Sequence, residues 1–326
     1  VEFHTIGNMW MWTGFTGLVL FLLFLDLVVF HRHAHKVSVK EAMGWTLMWI
    51  SLALVFGAVI YQFFGPERAL EYYTGYLIEK ALSVDNLFVF LVLFNYFAVP
   101  GKLQHRVLFW GVLGAMIMRG FFIVVGAVLI QQFHWIIYLF GGFLVYTGGK
   151  LLLHKDSDVH PEKNPVIRFF RQRVPMVDNY RDVHFWVKEG GRWMATPLLL
   201  VVATVEFTDL VFAVDSIPAI FAITEDPFIV YTSNIFAILG LRSLYFVLAG
   251  MMDTFHHLKT GLSFVLMFVG VKMLLAEWYK IPIGVSLGVV AALLVLSILI
   301  SIVLPKAKEE SDQGTGGAGA GKTEAP

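Results

Sequence analysis

The chain has 326 residues, 58% hydrophobic and 15% charged, with a mean hydropathy of +0.73, far above that of a soluble domain. Twenty-four basic residues balance 24 acidic ones, so net charge points to no nucleic-acid partner. Cysteine is absent, which excludes disulfides, thiolate metal ligands and thiol nucleophiles.

A membrane helix needs about 20 mostly apolar residues. Nine stretches meet this in chain order: 8–30, 42–63, 70–97, 105–130, 133–153, 194–222, 228–252, 258–277 and 282–304. The first is too long for a signal-peptide core and has no basic leader, so a retained span is expected. The connecting loops alternate in charge. Arg32, Lys36 and Lys40 follow the first span, residues 65–71 lean acidic, Lys102 and Arg106 stand at the start of the fourth, and Glu225 and Asp226 precede the seventh. Basic loops stay cytoplasmic, which predicts the N-terminus outside and the C-terminus inside. The segment 154–193 carries eight Lys/Arg against six acids. There Val166, Ile167, Phe169, Phe170 and Val174 alternate with Arg168, Arg171 and Arg173, which predicts a short basic helix on the inner leaflet or a plain linker. From Lys306 the chain is polar and rich in Gly and Ala, and a disordered cytoplasmic tail is expected over 306–326.

Two spans carry the same pattern of acids. The first reads Glu79-Lys80-Ala-Leu-Ser-Val-Asp85-Asn86, the second Asp209-Leu-Val-Phe-Ala-Val-Asp215-Ser216, with Glu206 three residues upstream. A carboxylate in hydrocarbon costs roughly 2.5–3.5 kcal/mol, so two matched sets point to a positive ligand. The likeness extends further. Gly114-Ala-Met-Ile-Met-Arg119 parallels Ala237-Ile-Leu-Gly-Leu-Arg242, and Phe143-Leu-Val-Tyr-Thr-Gly148-Gly-Lys150 parallels Val265-Leu-Met-Phe-Val-Gly270-Val-Lys272. Each copy holds three spans, an odd number, so the second copy should run inverted relative to the first. Transporters built this way place their sites near the midplane, where the copies meet. The predicted fold is therefore an all-α polytopic membrane protein of about nine transmembrane helices. Residues 1–69 form two N-terminal spans, 70–153 the first repeat, 154–193 a cytoplasmic loop, 194–277 the inverted second repeat and 278–305 a C-terminal span.

Glu79 and Asp85 lie about 9 Å apart along a helix and point in different directions. Either they form two sites along a path, or the helix is locally broken. Pro218 cannot donate to the carbonyl of Val214, which would free an oxygen beside Asp215 and Ser216. The candidate metal-binding residues are Glu79, Asp85, Asn86, Glu206, Asp209, Asp215 and Ser216. Lys80, Arg119 and Arg242 are the candidate compensating charges. The five deep acids and three bases leave two negative charges, which one divalent cation or two protons would balance. Hard oxygen ligands suit Mn²⁺, Mg²⁺ or Ca²⁺ over Cu⁺ or Zn²⁺. Crowded carboxylates couple their titrations, so exchange of one M²⁺ for two H⁺ is a natural cycle. Asp26 near the end of the first span is a weaker candidate, expected to turn toward Arg32. His31, His33, His35, His256 and His257 stand in loops or near span ends and read as polar interface residues or, for the 31–35 run, a metal-collecting patch. The Gly141-Gly142 and Gly148-Gly149 pairs read as close helix contacts, and Lys150 and Lys272 as interfacial anchors.

Gly75-Tyr-Leu-Ile-Glu79-Lys-Ala-Leu-Ser-Val-Asp85-Asn86 and Glu206-Phe-Thr-Asp209-Leu-Val-Phe-Ala-Val-Asp215-Ser216-Ile-Pro-Ala resemble the TerC family of integral membrane proteins. Asp226-Pro-Phe-Ile-Val and Asn234-Ile-Phe-Ala-Ile-Leu-Gly-Leu-Arg242 resemble its manganese-exporting branch, and the likeness covers about residues 10–304. The resemblance implies a multi-pass protein of the bacterial cytoplasmic (inner) membrane that exports Mn²⁺ as a transported substrate, with metal ligands at the matched acids. No permanently bound cofactor and no enzymatic activity are expected. The expected partners are a divalent metal ion, protons as counter-ion and the lipid bilayer, with no nucleic acid. Nucleotide is not expected, because no Gly-x-x-x-x-Gly-Lys-[Ser/Thr] loop occurs. Two other classes stay open: an intramembrane aspartyl protease, whose paired Asp would share a proton, and a non-transporting assembly or metal-handover factor.

Overall fold

A computed structural model of the chain describes residues 5–30, 38–133, 135–153, 164–249, 258–279 and 281–303; at 27–30, 85, 88, 171, 215, 258, 259 and 302 it describes the backbone alone. The helices are α1 (Met9–Phe30), α2 (Val39–Tyr96), α3 (Gly101–Gln132), α4 (Ile136–Leu153), α5 (Pro165–Arg173), α6 (Pro197–Phe221), α7 (Pro227–Ile238), α8 (Leu241–Ala249), α9 (Leu258–Leu274) and α10 (Ile283–Val303). Among the described residues, six are long and apolar enough to cross a membrane, or seven if the bent pair α7–α8 is one span. The protein is thus an all-α, multi-pass membrane protein. The predicted stretches 42–63 and 70–97 both fall within α2, 228–252 is divided between α7 and α8, and α9 is a shorter apolar helix. The histidines at 31, 33, 35, 256 and 257 and the expected tail 306–326 lie outside the described residues.

α2 is two helical arms joined at Gly65, whose φ of 87° only glycine adopts freely, and Pro66 opens the second arm with its preset φ. The Tyr72 hydroxyl donates to the Ala53 carbonyl at 3.1 Å, and that of Tyr73 to Leu54 at 2.9 Å. Nineteen residues of straight helix would hold these groups about 28 Å apart. The arms therefore fold back on one another, and Gly57 lets the Tyr73 ring lie on its backbone.

α4 and α9 pack through glycine. A Cβ at Gly141 would lie 3.0 Å from the Gly270 oxygen, and one at Gly148 would lie 2.7 Å from the Ser263 oxygen. Rising numbers on α4 meet falling numbers on α9, so the two helices run antiparallel. Lipid is as apolar as the side chains, so close backbone approach is what holds such a pair. Gly111 of α3 meets Val205 of α6, and Gly75 of α2 meets the Ser233 hydroxyl of α7.

Between α4 and α6, the expected basic helix is α5, capped by the Asn164 side chain, which accepts from the Val166 amide. The remainder is no plain linker. β1 (Trp186–Glu189) and β2 (Arg192–Ala195) form an antiparallel hairpin, with Lys188 opposite Trp193. Gly190 and Gly191 both take positive φ, as a two-residue hairpin turn demands. The Gly-Gly between two aromatic-containing segments was the available signal. The Tyr180 hydroxyl donates to the Phe97 carbonyl at 2.8 Å, and burial pushes its pKa up to about 12, so it stays a donor. The Arg106 guanidinium lies 5.3 Å from the centre of the Phe185 ring. These contacts tie the loop to the ends of α2 and α3.

Candidate functional site

Three helices bring charge into the interior, and a fourth brings a neutral amide. Arg119 of α3 is fully buried, and so is Glu79 of α2. The Arg119 guanidinium ion-pairs with Glu79 through Nη1. Its Nη2 donates to Asp209 Oδ1 at 3.3 Å and its Nε to Asp209 Oδ2 at 3.4 Å. Nη1 also donates to Asn234 Oδ1 of α7 at 3.3 Å. One cation therefore joins carboxylates from the matching place in each acidic motif. Charge-assisted bonds of this kind usually measure about 2.7–2.9 Å, so the grip on Asp209 is loose.

Oxygen lines the surroundings. Tyr76, Glu79, Ser83 and Asn86 share one face of α2 by helical spacing, and all four are buried. Among the described residues, the Tyr76 and Ser83 hydroxyls, the Ser216 hydroxyl of α6 and the Glu79 carboxylate oxygens have no hydrogen-bond partner, the Glu79 ion pair aside. Unsatisfied polar atoms in a bilayer cost several kcal/mol each, on the order of 2–7. The Asn234 amide nitrogen is likewise unpartnered, so the centre holds unsatisfied donors as well as oxygens, and it is those carboxylate and hydroxyl oxygens that can coordinate a cation.

The other predicted residues are placed as follows. Glu206 is half-buried, with its carboxylate pressed against Gly114 of α3, where any Cβ would overlap it. Lys80 donates from Nζ to the Ala237 carbonyl at 3.1 Å. Asp85 and Asp215 stand in continuous helix, and their side chains lie outside the described residues. Neither α2 at 79–86 nor α6 at 206–216 is broken, and α6 carries Pro218 in its last turns. Among the described residues Arg242 meets neither Glu79 nor Asp209. Its Nη2 donates to Asp26 of α1, to Oδ1 at 2.6 Å and to the carbonyl at 3.1 Å. Arg32, the partner expected for Asp26, lies outside the described residues, as do the side chains of Asp85 and Asp215. Among the described residues, no three His, Asp or Glu side chains gather as a ready metal cage. Asn234 escaped the sequence reading. Its signal was the polar run Thr232-Ser233-Asn234 inside an apolar stretch, all three fully buried.

Helices of this length around a buried ionic centre define an integral membrane protein. The chain belongs to the TerC family: the family described as "Integral membrane protein TerC family" matches residues 64–309. It is 52% identical over 310 residues to an uncharacterised membrane protein of Myxococcus xanthus, covering 95% of this chain and 97% of the relative. It is 47% identical over 307 residues to an Escherichia coli K12 protein that carries the provisional name membrane-bound redox modulator Alx, covering 91% and 96%. An uncharacterised membrane protein of Rickettsia felis is 42% identical over 294 residues, covering 90% and 97%. No solved structure matches the chain.

Proposed function

We propose that this protein is a secondary-type transporter that exports divalent metal cations, Mn²⁺ foremost, across the bacterial cytoplasmic membrane. One observation carries the reading: Glu79 and Asp209 converge on a single buried arginine, amid buried carboxylate and hydroxyl oxygens that have no hydrogen-bond partner among the described residues, the Glu79 ion pair aside. Two carboxylates and one guanidinium leave a negative centre, and its hard oxygens favour Mn²⁺, Mg²⁺ or Ca²⁺. Asp85, Asn86, Asp215 and Ser216, further along the same helices, extend the path. Two protons can replace one divalent ion there, so an inward proton gradient drives metal out.

The inverted-repeat organisation is part of the same proposal. Aligning Gly148 with Gly270 also aligns Gly141 with Ser263. The close approaches Gly141–Gly270 and Gly148–Ser263 then exchange with one another. Aligning Glu79 with Asp209 and Arg119 with Arg242 carries Gly111–Val205 to within one residue of Gly75–Ser233. A twofold axis in the membrane plane has this effect, and it supports a site at the midplane. A redox role through thiols is not open to a chain without cysteine.

The test is metal quantitation in bacterial cells with and without the gene, across Mn, Mg, Ca, Fe and Zn. Expression should lower cellular Mn, and Glu79→Gln or Asp209→Asn should abolish the drop. Unchanged levels of every metal would contradict export.

A further inference from the structure

We propose that Arg119 is a tethered counter-cation which the transported ion must displace, so that guanidinium and divalent cation hold the Glu79–Asp209 pair in turn. This rests on the transport reading and goes beyond it, because it gives Arg119 a step in the cycle where a bracing role would give it none.

Occupancy comes first. The nitrogens of Arg119 reach Glu79 on α2, Asp209 on α6 and Asn234 on α7, so the guanidinium sits where the acidic helices of both halves converge. A divalent ion cannot share both carboxylates with that group between them. Charge is compatible with the exchange. Glu79 and Asp209 balance one divalent ion once the guanidinium turns away from them, and the five deep acids and three bases taken together are likewise balanced by one such ion.

The guanidinium is held unequally: it lies close against Glu79, while both bonds to Asp209 are long, at 3.3 and 3.4 Å, so the Asp209 side is where the contacts fit a part that lets go. Asn234 gives the guanidinium a neutral oxygen to keep when Asp209 turns to the metal. Asn234 stands six residues before Gly240, where φ of 82° separates α7 from α8 at a 40° bend. A helix end beside a break can follow the arginine at less cost than the middle of a straight span.

The experiment uses the purified full chain in detergent, with Mn²⁺ binding and thermal unfolding read together. Arg119→Gln should melt below wild type without metal, because two buried carboxylates then face each other. It should bind Mn²⁺ at least about fivefold more tightly, at the low end of ordinary coupling between competing ligands. Mn²⁺ should raise its Tm by more than it raises the wild-type Tm, and adding Asp209→Asn should remove that rescue. Arg119→Lys, a shorter point charge that cannot bridge both acids, should bind Mn²⁺ more tightly than wild type by a smaller factor. A bracing arginine gives the opposite pattern: destabilisation that metal does not repair, with Mn²⁺ affinity unchanged or weaker in both variants. That pattern overturns the inference, as does an Arg119→Gln protein that stays unfolded in Mn²⁺. If wild type binds no divalent cation, the transport reading falls as well. If wild type binds and Arg119→Gln binds no better, this inference falls alone.

Discussion

Arg119 and Arg242 occupy the same step of the acid-acid-Arg-Lys order, one in each half, yet they hold different partners. Arg119 joins two deep acids, while Arg242 clasps Asp26 of α1. Backbone and surroundings account for the difference. Two residues before Arg119 stands Ile117, in the unbroken α3; two residues before Arg242 stands Gly240, whose left-handed φ ends α7. Isoleucine does not take that conformation readily, so only the second half can bend there. The bend lets Arg242 meet α1, which precedes the part of the chain matched by the family. A repeated sequence thus fixes residue types, and local backbone and added helices select their partners.

The largest expected effect separates the two arginines. Arg119→Leu strands two buried carboxylates and should cost about 3–5 kcal/mol of stability in denaturation of the detergent-solubilised protein. Arg242→Leu breaks bonds to one partly exposed acid and should cost less, about 1.5–3 kcal/mol. Equal losses would erase the distinction. Next come the glycines of the α4–α9 contact. Gly141→Val and Gly148→Val should each cost about 1–3 kcal/mol by overpacking, and by similar amounts if the two contacts are related by a twofold axis. Gly142→Val and Gly149→Val meet nothing within 4 Å, and valine is a slightly better helix former than glycine, so stability should stay the same or rise by about 0.3 kcal/mol. A comparable effect is expected at the bend. Gly240→Ala should cost about 1–2 kcal/mol for its left-handed backbone, with more added by contact with the Trp49 ring 2.7 Å away. Ile117→Gly in the straight helix should cost only about 0.5–1 kcal/mol and leave Arg119 in place.

The sequence made the apolar spans legible because lipid demands long runs, and α1, α3, α4, α6 and α10 follow them closely. The fold-back of α2 was marked by Gly65-Pro66 between two such runs. The acids Glu79 and Asp209 were visible because carboxylates in hydrocarbon are rare. Their shared arginine was not assignable, since Arg119 and Arg242 look alike along the chain and only packing distinguishes them. That Asp26 also meets Arg242 was hidden for the same reason: no periodicity says which helix α1 touches. The β1–β2 hairpin was overlooked because charge drew attention to the arginines of α5, away from Gly190-Gly191.

Mn²⁺ flux in proteoliposomes under an imposed pH gradient tests the account most directly. Wild type should move Mn²⁺ against its gradient as protons flow the other way, and Glu79→Gln and Asp209→Asn should each fall to the protein-free level. Flux that ignores both substitutions, or no flux from folded wild type, would contradict it.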